Sequence, residues 1–466
     1  TIIRKPCCDP SGLVVPLMPL VAGQILEIIK YDKMKSKILK YTLLFIVLFT
    51  IVGGIYYLKL PNRHKAIIKT KLYHGFGLVD ERWNIQSNDS SIRLITPTLV
   101  IDKQSLNHNI KTLKQHIGNR YHYRMVVKSL PSIPLLEHIS HTANTNRFMV
   151  FDEAFLTKIL THFQDADVLL GKPLPALGAQ KVLKKLKPET GSSIRWLVDN
   201  PLRLENYLQL ATQSKQVLRI NLEIDVGLHR GGYSSDQPLT KALTTIKNSP
   251  FLKFDGFMGY EPHVVKVPGN ANSHLSNSLE IYHRNIDIAK NILGNDFPEK
   301  PVFNTAGSPS YQLHTQLNSA ESQCTELSAG SCLIKPLDFD LPSLQDHQAA
   351  SFIATPILKA LDQTDIPGVT GLGDVMAWWN PNLKRSLFTY GGYWKAQPVS
   401  PEGLSYNPLY GRSSNQEMIN ASMKNPLDMN DWIFLRPSQS ESVLLQFGDI
   451  AVYDDNKIVE YWPVFS

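Results

Sequence analysis

Cysteine is scarce in this sequence, with 4 residues among 466, and no two of them follow a CxxC spacing. Cys7 and Cys8 stand together near the N-terminus, and Cys324 and Cys332 lie in the C-terminal half. So few cysteines exclude a disulfide-framework protein, and the missing Cys/His spacing excludes the usual zinc modules. We interpret Cys324 and Cys332 as two ordinary thiols, with a disulfide as the alternative in an oxidising compartment.

Positive charge is also sparse outside the N-terminus. Residues 1–72 hold twelve of the 48 Lys and Arg but only three of the 41 Asp and Glu, which gives them a charge of +9. The remaining residues carry −2, so the whole chain carries +7. A slightly acidic body lacks the basic patch of a nucleic-acid-binding protein, and none is predicted here. A hydrophobic content of 43% excludes global disorder, and the length predicts about two or three domains.

The N-terminal charge flanks Tyr41–Leu58, a run of eighteen residues without a charge. A membrane-spanning helix needs about 20 apolar residues, and lysines within 33–40 precede the run in the positive-inside arrangement. We therefore predict a membrane anchor at 34–62, with the catalytic part outside the cytoplasm. A cleaved signal and a buried helix are the alternatives. Residues 1–33 are expected to come from an extension of the reading frame upstream of Met34. Residues 63–95 are expected to form a linker.

Beyond the linker, short apolar segments alternate with helical patterns such as Ser105–Ile117 and Pro201–Ser214. This alternation is typical of βαβ units, and eight segments fit a TIM-type (β/α)8 barrel over 96–345. A doubly wound sheet is the alternative, but no GxGxxG follows an early strand. The predicted barrel strands are Tyr123–Lys128, Arg147–Phe151, Asp167–Gly171, Arg195–Asp199, Leu218–Asp225, Phe254–Tyr260, Val302–Thr305 and Glu326–Ile334.

Two other regions are predicted to lie outside this barrel. The apolar run Thr98–Ile101 precedes the first helix and is expected to pair elsewhere. Residues 346–466 contain strand-like segments separated by turn-rich spacers, which predicts a C-terminal β domain. Its predicted strands are Ser351–Lys359, Arg385–Tyr390, Trp432–Pro437, Asp449–Tyr453 and Val459–Val464.

Candidate chemistry lies at the carboxyl ends of the barrel strands, where TIM barrels place their active sites. Lys128 ends the first strand, and a lysine desolvated there becomes a nucleophile suited to Schiff-base formation. The loop 304–310, NTAGSPS, can offer N–H and hydroxyl donors to a phosphate. A solvated lysine and an ordinary turn are the alternatives, but the two features together predict pyridoxal phosphate. Further polar residues at strand ends are Asp225, Arg230, Tyr260, Glu261, His263, Thr305, Gly307, Ser308 and Ser310.

Six segments between Thr96 and Ser331 follow one another in a recognisable order: TPTLVIDKQSLNHNI, VVKSLP, EIDVGLHRGG, GYEPH, NTAGSPSY and TELSAGS. This series resembles the fold-type III pyridoxal-phosphate enzymes, which include alanine racemase, D-threonine aldolase and D-serine dehydratase. The resemblance implies an alanine-racemase-like barrel, a β domain that also holds the strand Thr98–Asp102, an amino acid as substrate and a homodimer.

The resemblance also implies roles for individual residues. Lys128 matches the lysine that forms the internal aldimine, and Arg230 matches the arginine near the cofactor or substrate. Tyr260 falls on the segment that lines the pocket. The phosphate loop is matched by Thr305, Gly307, Ser308 and Tyr311.

A racemase needs a base on each face of the substrate carbon. Lys128 serves one face. The family takes the other base from a tyrosine in the β domain of the partner subunit, which here matches Tyr390, with Tyr393 as its neighbour. His263 is the rival second base, since a histidine titrates near neutral pH. A structural or solvent-facing role for His263, and a plain strand-and-turn role for the Tyr390 segment, are the alternatives.

One departure from the family concerns metal. The aldolase and dehydratase branch binds a divalent metal near its C-terminus through a His followed two residues later by Cys or Asp. This sequence has no His after His347, and Asp454 and Asp455 are expected to form only a turn. No metal site is predicted, so metal-dependent aldol cleavage or dehydration is in doubt.

Three functions remain open from the sequence. The first is a pyridoxal-phosphate racemase or D-amino-acid lyase that acts through Lys128 and removes the α-proton. The second is a homologue that binds the cofactor without turnover and has a regulatory or binding role. The third is a membrane-tethered hydrolase without cofactor, which would need a cluster of carboxylates at the strand ends. Only Asp225 and Glu261 are obvious candidates for such a cluster.

Overall fold

The computed structural model describes residues 37–59, 94–185, 193–318, 320–455 and 457–465. The first of these ranges is a helix, α1 (Lys37–Lys59). Across the described parts of the chain, no helix is both long and apolar enough to cross a membrane. The predicted anchor at 34–62 is therefore not supported, and the location outside the cytoplasm stays an untested prediction. The predicted extension at 1–33 and most of the predicted linker lie outside the described residues.

Eight parallel strands form a closed barrel, which confirms the TIM-type prediction over a doubly wound sheet. The strand β1 (Thr98–Asp102) precedes it. The barrel strands are β2 (His122–Val126), β3 (Arg147–Val150), β4 (Asp167–Leu170), β5 (Ile194–Val198), β6 (Leu218–Glu223), β7 (Leu252–Met258), β8 (Val302–Thr305) and β9 (Glu326–Ala329).

Helices follow the strands and cover the barrel. Several begin at a side-chain cap, because an Asp or Asn oxygen can accept an otherwise unpaired N–H of the first turn. Asn200 accepts from Arg203 in this way, with Pro201 at the first helical position. The helices are α2 (Lys103–Ile117), α3 (Ile133–Ala143), α4 (Glu153–His162), α5 (Ala176–Lys185), α6 (Pro201–Ser214), α7 (Asp236–Lys247), α8 (Ala271–Leu293), α9 (Tyr311–Thr315) and α10 (Ser331–Ile334).

Seven of the eight barrel-strand predictions extended too far at their carboxyl ends, and two of them ran on into helical turns. The first barrel strand ends at Val126, and Val127–Ser129 forms a 3-10 turn that contains Lys128. The last ends at Ala329, and Ser331–Ile334 is a short helix after Gly330. Apolar residues continue past both ends because these turns are buried, so hydrophobicity alone did not mark where the strands stop.

A second sheet has nine strands, of which eight follow the barrel in sequence and one, β1, precedes it. β1 pairs with β10 antiparallel and with β16 parallel, which confirms that Thr98–Asp102 belongs to this sheet. One helix in this part, α11 (Leu372–Trp379), was not predicted. The other strands are β10 (Ser351–Leu361), β11 (Arg385–Thr389), β12 (Ala396–Ser400), β13 (Ser405–Tyr406), β14 (Met418–Ala421), β15 (Trp432–Pro437), β16 (Ile450–Asp454) and β17 (Lys457–Trp462).

The amino-terminal ends of the barrel strands are joined by a buried ionic layer. Arg124 is fully buried and donates to both carboxylate oxygens of Glu326 and, at 2.8 Å, to Asp167. Arg195 binds Asp167 and lies 2.5 Å from Asp255. Burial raises the pKa of Asp167, but the neighbouring guanidinium groups outweigh burial and lower this pKa to about 2.

This layer was not foreseen, because each charged residue lies in a largely apolar strand and its partners come from other strands of the barrel. Buried charges are stable only when they are paired and hydrogen-bonded. The layer therefore fixes which strands are neighbours at the floor of the barrel.

Replacing Glu326 with glutamine keeps the side-chain shape but removes the charge that balances Arg124. We expect Glu326→Gln to lower the free energy of unfolding by about 3–5 kcal/mol, as is usual when one partner of a buried ion pair is lost. Urea unfolding of both proteins at neutral pH measures this loss of unfolding free energy. Glu299→Gln, at an exposed glutamate, is the matched control. Equal effects of the two substitutions would contradict the role given to this layer.

Candidate active site

A cavity opens at the carboxyl end of the barrel, opposite the ionic layer. It lies where strand ends converge, which is the place of active sites in this architecture. Its wall combines small residues, hydroxyls, two basic groups and three aromatic side chains, Phe151, Tyr260 and Phe339. The lining includes Val126, Lys128, Ser129, Phe151, Arg230, Tyr260, Asn304, Gly307, Ser308, Ser328, Gly330, Ser331 and Glu441.

Lys128 enters this cavity from the 3-10 turn after β2. The turn is closed by a 2.8 Å hydrogen bond from the Leu130 N–H to the Val127 carbonyl. The Lys128 ammonium lies 4.8 Å from the centre of the Phe151 ring and 3.4 Å from Glu441 Oε1. Its side chain is 43% exposed, so the amine is open to a ligand that enters the cavity.

The loop after β8 is organised by Glu261, a buried carboxylate from the end of the neighbouring strand β7. Glu261 accepts from the hydroxyls of Thr305 and Ser310, both at 2.8 Å, and from the Ala306 N–H at 3.3 Å. His314 Nε2 lies 3.0 Å from Glu261 Oε1, the oxygen that also accepts from Ser310. Burial raises the pKa of Glu261, but His314 and the two hydroxyls outweigh burial, so this pKa is lowered. Glu261 is therefore a scaffold for the loop.

Gly307 allows an aromatic ring to lie directly against this loop. A Cβ at Gly307 would lie only 2.6 Å from Cε2 of Tyr260. The Arg230 guanidinium lies 4.9 Å from the centre of the same ring, within cation–π distance. Burial raises the pKa of Tyr260, while Arg230 opposes this rise. Tyr260 thus links the loop to the basic group on the far side of the cavity.

Ser308 ties the loop to the end of β9. Its hydroxyl oxygen accepts the N–H of Gly330 at 3.1 Å and the N–H of Cys332 at 3.0 Å. A Cβ at Gly330 would lie 2.7 Å from the carbonyl oxygen of Val126, so β2 and β9 also approach closely. The ends of β2, β8 and β9 therefore form one connected wall.

Five of the predicted cofactor residues line this one cavity: Lys128, Arg230, Tyr260, Gly307 and Ser308. The other two predicted cofactor residues, Thr305 and Tyr311, contact side chains outside the cavity lining. The Thr305 hydroxyl donates to Glu261, and the Tyr311 hydroxyl lies 3.2 Å from His347 Nε2. Both side chains are buried behind the loop, where they support it from outside the cavity lining.

The two predicted second bases are not among the residues that line the cavity with Lys128. His263 lies against the loop after β6, since a Cβ at Gly227 would be 3.1 Å from its Nε2. Its Nδ1 is buried without a hydrogen-bond partner, and burial lowers the pKa of His263. Tyr390 is 47% exposed on the β domain and is not among the residues that line the cavity. Their catalytic roles stay predictions.

Sequence reasoning missed several polar groups of the cavity, among them Glu441, Ser129 and Ser331. Glu441 comes from a turn between β15 and β16, and no spacing rule connects it to Lys128. Ser129 and Ser331 follow β2 and β9 and lie 3.0 Å apart through their hydroxyl oxygens. Both serines stand directly after strand ends, so the rule that led to Lys128 could have found them.

The residues of this cavity fit pyridoxal phosphate. Lys128 presents an accessible amine for the aldehyde, and a phosphate needs hydroxyl and N–H donors, for which Ser308 and Ser331 line the cavity. The buried Oδ1 of Asn304, which lines the cavity, has no hydrogen-bond partner and is free to accept from a ligand. Lys128, Arg230, Gly307 and Ser308 are the residues that would hold the group.

Metal ligands and thiols give a different picture. Within the described ranges, no three His, Cys, Asp or Glu side chains are grouped so that they could hold a metal ion. Cys324 and Cys332 are both buried and free, and burial raises the pKa of each thiol to about 12. The interpretation of these two cysteines as ordinary thiols is confirmed.

Comparison with known proteins gives matches over the same region. The family model described as "Alanine racemase, N-terminal domain" matches residues 101–336. Alanine racemase of Helicobacter pylori strain J99 is 25% identical over 222 residues, which cover 44% of this chain and 53% of that protein. The protein of strain G27 is 26% identical over the same length, with the same coverage. The chain thus spans about half the length of the curated relatives it matches.

Solved structures of similar architecture cover more of the chain. D-Threonine aldolase from Filomicrobium marinum has a TM-score of 0.63 at 14% identity and covers 80% of this chain and 95% of that one. D-threo-3-hydroxyaspartate dehydratase from Delftia sp. HT23 scores 0.60 at 14% identity, with 80% and 97% covered. Alanine racemase from Bacillus anthracis scores 0.59 at 14%, with 80% and 98% covered. At such identities the likeness shows the fold alone.

The lowered pKa of Glu261 predicts a pH-dependent contribution to stability. A glutamate titrates near pH 4.3 when unfolded, so the stabilisation is complete above that pH and is lost as the pH falls through the lower folded value. We expect Glu261→Gln to cost about 3 kcal/mol of unfolding free energy at pH 7. The difference in unfolding free energy between native protein and Glu261→Gln should narrow below about pH 4.

Denaturant titrations of native protein and Glu261→Gln at several pH values measure this difference in unfolding free energy, here called the stability gap. The control is Glu280→Gln, which removes an exposed charge from α8. A stability gap that is constant, or that widens on acidification, would contradict an ionised Glu261 in the folded protein.

Proposed function

Because the chain belongs to the alanine racemase N-terminal domain family, a family of pyridoxal-phosphate enzymes, we propose that it acts on an amino acid as a racemase or a D-amino-acid lyase. The observation that carries the proposal is the position of Lys128. Its amine lies in a cavity at the carboxyl end of the barrel, with a glycine- and serine-rich loop across from it. The exact reaction and the substrate are part of the proposal.

The bound cofactor would supply an electron sink that makes the α-proton of an attached amino acid acidic. The chain supplies the groups that hold and use it. Lys128 would hold the cofactor through its aldehyde and would take the α-proton on one face of the substrate. Gly307 and Ser308 would hold the phosphate end, and Arg230, stacked on Tyr260, would supply a fixed positive charge beside the site.

A racemase also needs a base on the opposite face. We propose Tyr390 of a second subunit for this role, because Tyr390 is half-exposed on the β domain and its own chain does not bring it to the cavity. His263 is the rival candidate within the chain. A lyase needs only the base at Lys128, so the dependence on Tyr390 separates the two reactions.

Covalent capture of pyridoxal phosphate tests the role of Lys128. The native protein should develop a visible absorption band with pyridoxal phosphate and give a borohydride-stable adduct on the Lys128 peptide. Lys128→Ala should abolish both, because the amine is lost. Lys172 lies with Lys128 in the wider opening around the cavity, and Lys172→Ala should leave both the band and the adduct unchanged. A Lys128→Ala protein that still forms the adduct at the same rate would overturn the proposal.

Tyr390→Phe tests the second base. In D₂O with D- or L-amino acids, the native racemase should exchange the α-proton and interconvert the enantiomers. Loss of the hydroxyl should slow interconversion on the order of 10²–10⁴-fold, the usual contribution of a positioned acid or base. Tyr393→Phe, at the exposed neighbour, is the control. Unchanged interconversion in Tyr390→Phe would assign the second base elsewhere.

Product analysis in the same mixtures separates a racemase, a lyase and a silent homologue. Enantiomer interconversion identifies the first, and release of ammonia or of an aldehyde identifies the second. Cofactor capture without any turnover across a panel of D- and L-amino acids would instead support the silent homologue.

A further inference from the structure

Glu441 reaches the cavity of the barrel from the β domain. It lies in the turn after β15, and its Oε1 atom is 3.4 Å from Lys128 Nζ. Within the described part of the chain, it is the carboxylate that forms an ion pair with Lys128. Neither the family resemblance nor any sequence motif assigns it a role.

The position of this carboxylate is fixed by the turn that carries it. Val443 and Leu444 are fully buried and anchor the turn in the core. Their N–H groups both donate to the carbonyl of Ser440 at 3.0 Å, which closes the turn beside Glu441. A side chain on such an anchored turn is held more precisely than one on an open loop.

Serine hydroxyls orient the carboxylate toward Lys128. Ser129 donates to Oε1 at 2.8 Å, and Ser440 donates to Oε2 at 3.2 Å. Ser331 lies 3.0 Å from Ser129, so the residues after β2 and β9 both support the arrangement. These three serines are buried, although Glu441 itself is 35% exposed.

The charge state of Glu441 agrees with this geometry. Burial raises the pKa of Glu441, but the Lys128 ammonium outweighs burial together with the hydroxyls of Ser129 and Ser440, so this pKa is lowered. The other titratable groups that line this cavity are Tyr260 and Arg230, which are stacked on each other. The wider opening around it adds Asp152, Lys172, Asp199, Glu223, Lys266 and Asp338. Glu441 is therefore an ionised carboxylate beside the amine.

We propose that Glu441 is a positioning residue for Lys128, supplied by the β domain of the same chain. At rest it holds the amino group as an ammonium over the Phe151 ring. The second part of the proposal rests on the proposed function. When Lys128 takes the α-proton, a carbon–hydrogen bond breaks and a nitrogen–hydrogen bond forms. The electron pair stays on the substrate and cofactor side, and Glu441 stabilises the positive charge gained by nitrogen.

The resting role is tested without cofactor. Reductive methylation with formaldehyde and a borane reductant modifies only neutral amines, and peptide mass spectrometry reads the modification of Lys128. In Glu441→Gln the amine should react faster, because the carboxylate 3.4 Å away no longer holds it in an ion pair. We expect Lys128 to be methylated on the order of 3- to 10-fold faster at pH 7 than in native protein.

The matched control is Glu460→Gln, which removes the same charge from the ion pair of Glu460 with Lys103, 3.2 Å apart. It should leave methylation of Lys128 at the native rate. Glu441→Asp draws the carboxylate back by one methylene and should give an intermediate rate. It also keeps the test valid if the glutamine variant does not fold. Equal rates in native protein and both Glu441 variants between pH 6.5 and 9 would overturn the proposal.

The catalytic part is tested in the loaded enzyme. Glu441→Gln should lower kcat for α-proton exchange while KM changes little, and the rising limb of the rate–pH profile should move to lower pH. Glu441→Asp should restore part of kcat. An unchanged kcat and profile would overturn this part.

The two experiments fail separately. Native protein that captures no cofactor would remove the proposed function, yet faster methylation of Lys128 in Glu441→Gln would still establish the ion pair.

Discussion

The structure depends on the paired charges buried at the floor of the barrel. Arg124, Asp167, Arg195, Asp255 and Glu326 come from five of its strands, and each is satisfied only by partners on other strands. An unpaired charge in that place is costly, so the network disfavours other strand orders and registers. Because the strands are parallel, fixing their amino ends also fixes where their carboxyl ends meet. The cavity with Lys128 is formed at that meeting point.

The cavity is supported both by side chains behind its wall and by side chains that line it. Glu261 holds the loop after β8 through Thr305 and Ser310, and Ser308 joins that loop to the end of β9. The β domain adds Glu441 beside the amine of Lys128. A site held in this way keeps its groups in place before a ligand arrives, which is what preorganised binding requires.

Much of this could be predicted from the sequence. The alternation of strands and helices indicated the barrel, and the rule that chemistry lies at strand ends led to Lys128, Arg230 and Tyr260. The ionic layer, Glu441 and the exact end of the first strand could not be predicted, because they depend on which distant segments meet. Thr305 and Tyr311 show the same limit: their place next to the loop was readable, but the direction of their side chains was not.

The central claim is that the amine of Lys128 and the loop 305–310 together bind one pyridoxal phosphate. A crystal structure of the protein grown with pyridoxal phosphate tests it most directly. The account predicts electron density continuous with Lys128 Nζ and a phosphate contacted by residues of the loop and by the end of β9. Density attached to another lysine, or a phosphate bound away from Gly307 and Ser308, would contradict it.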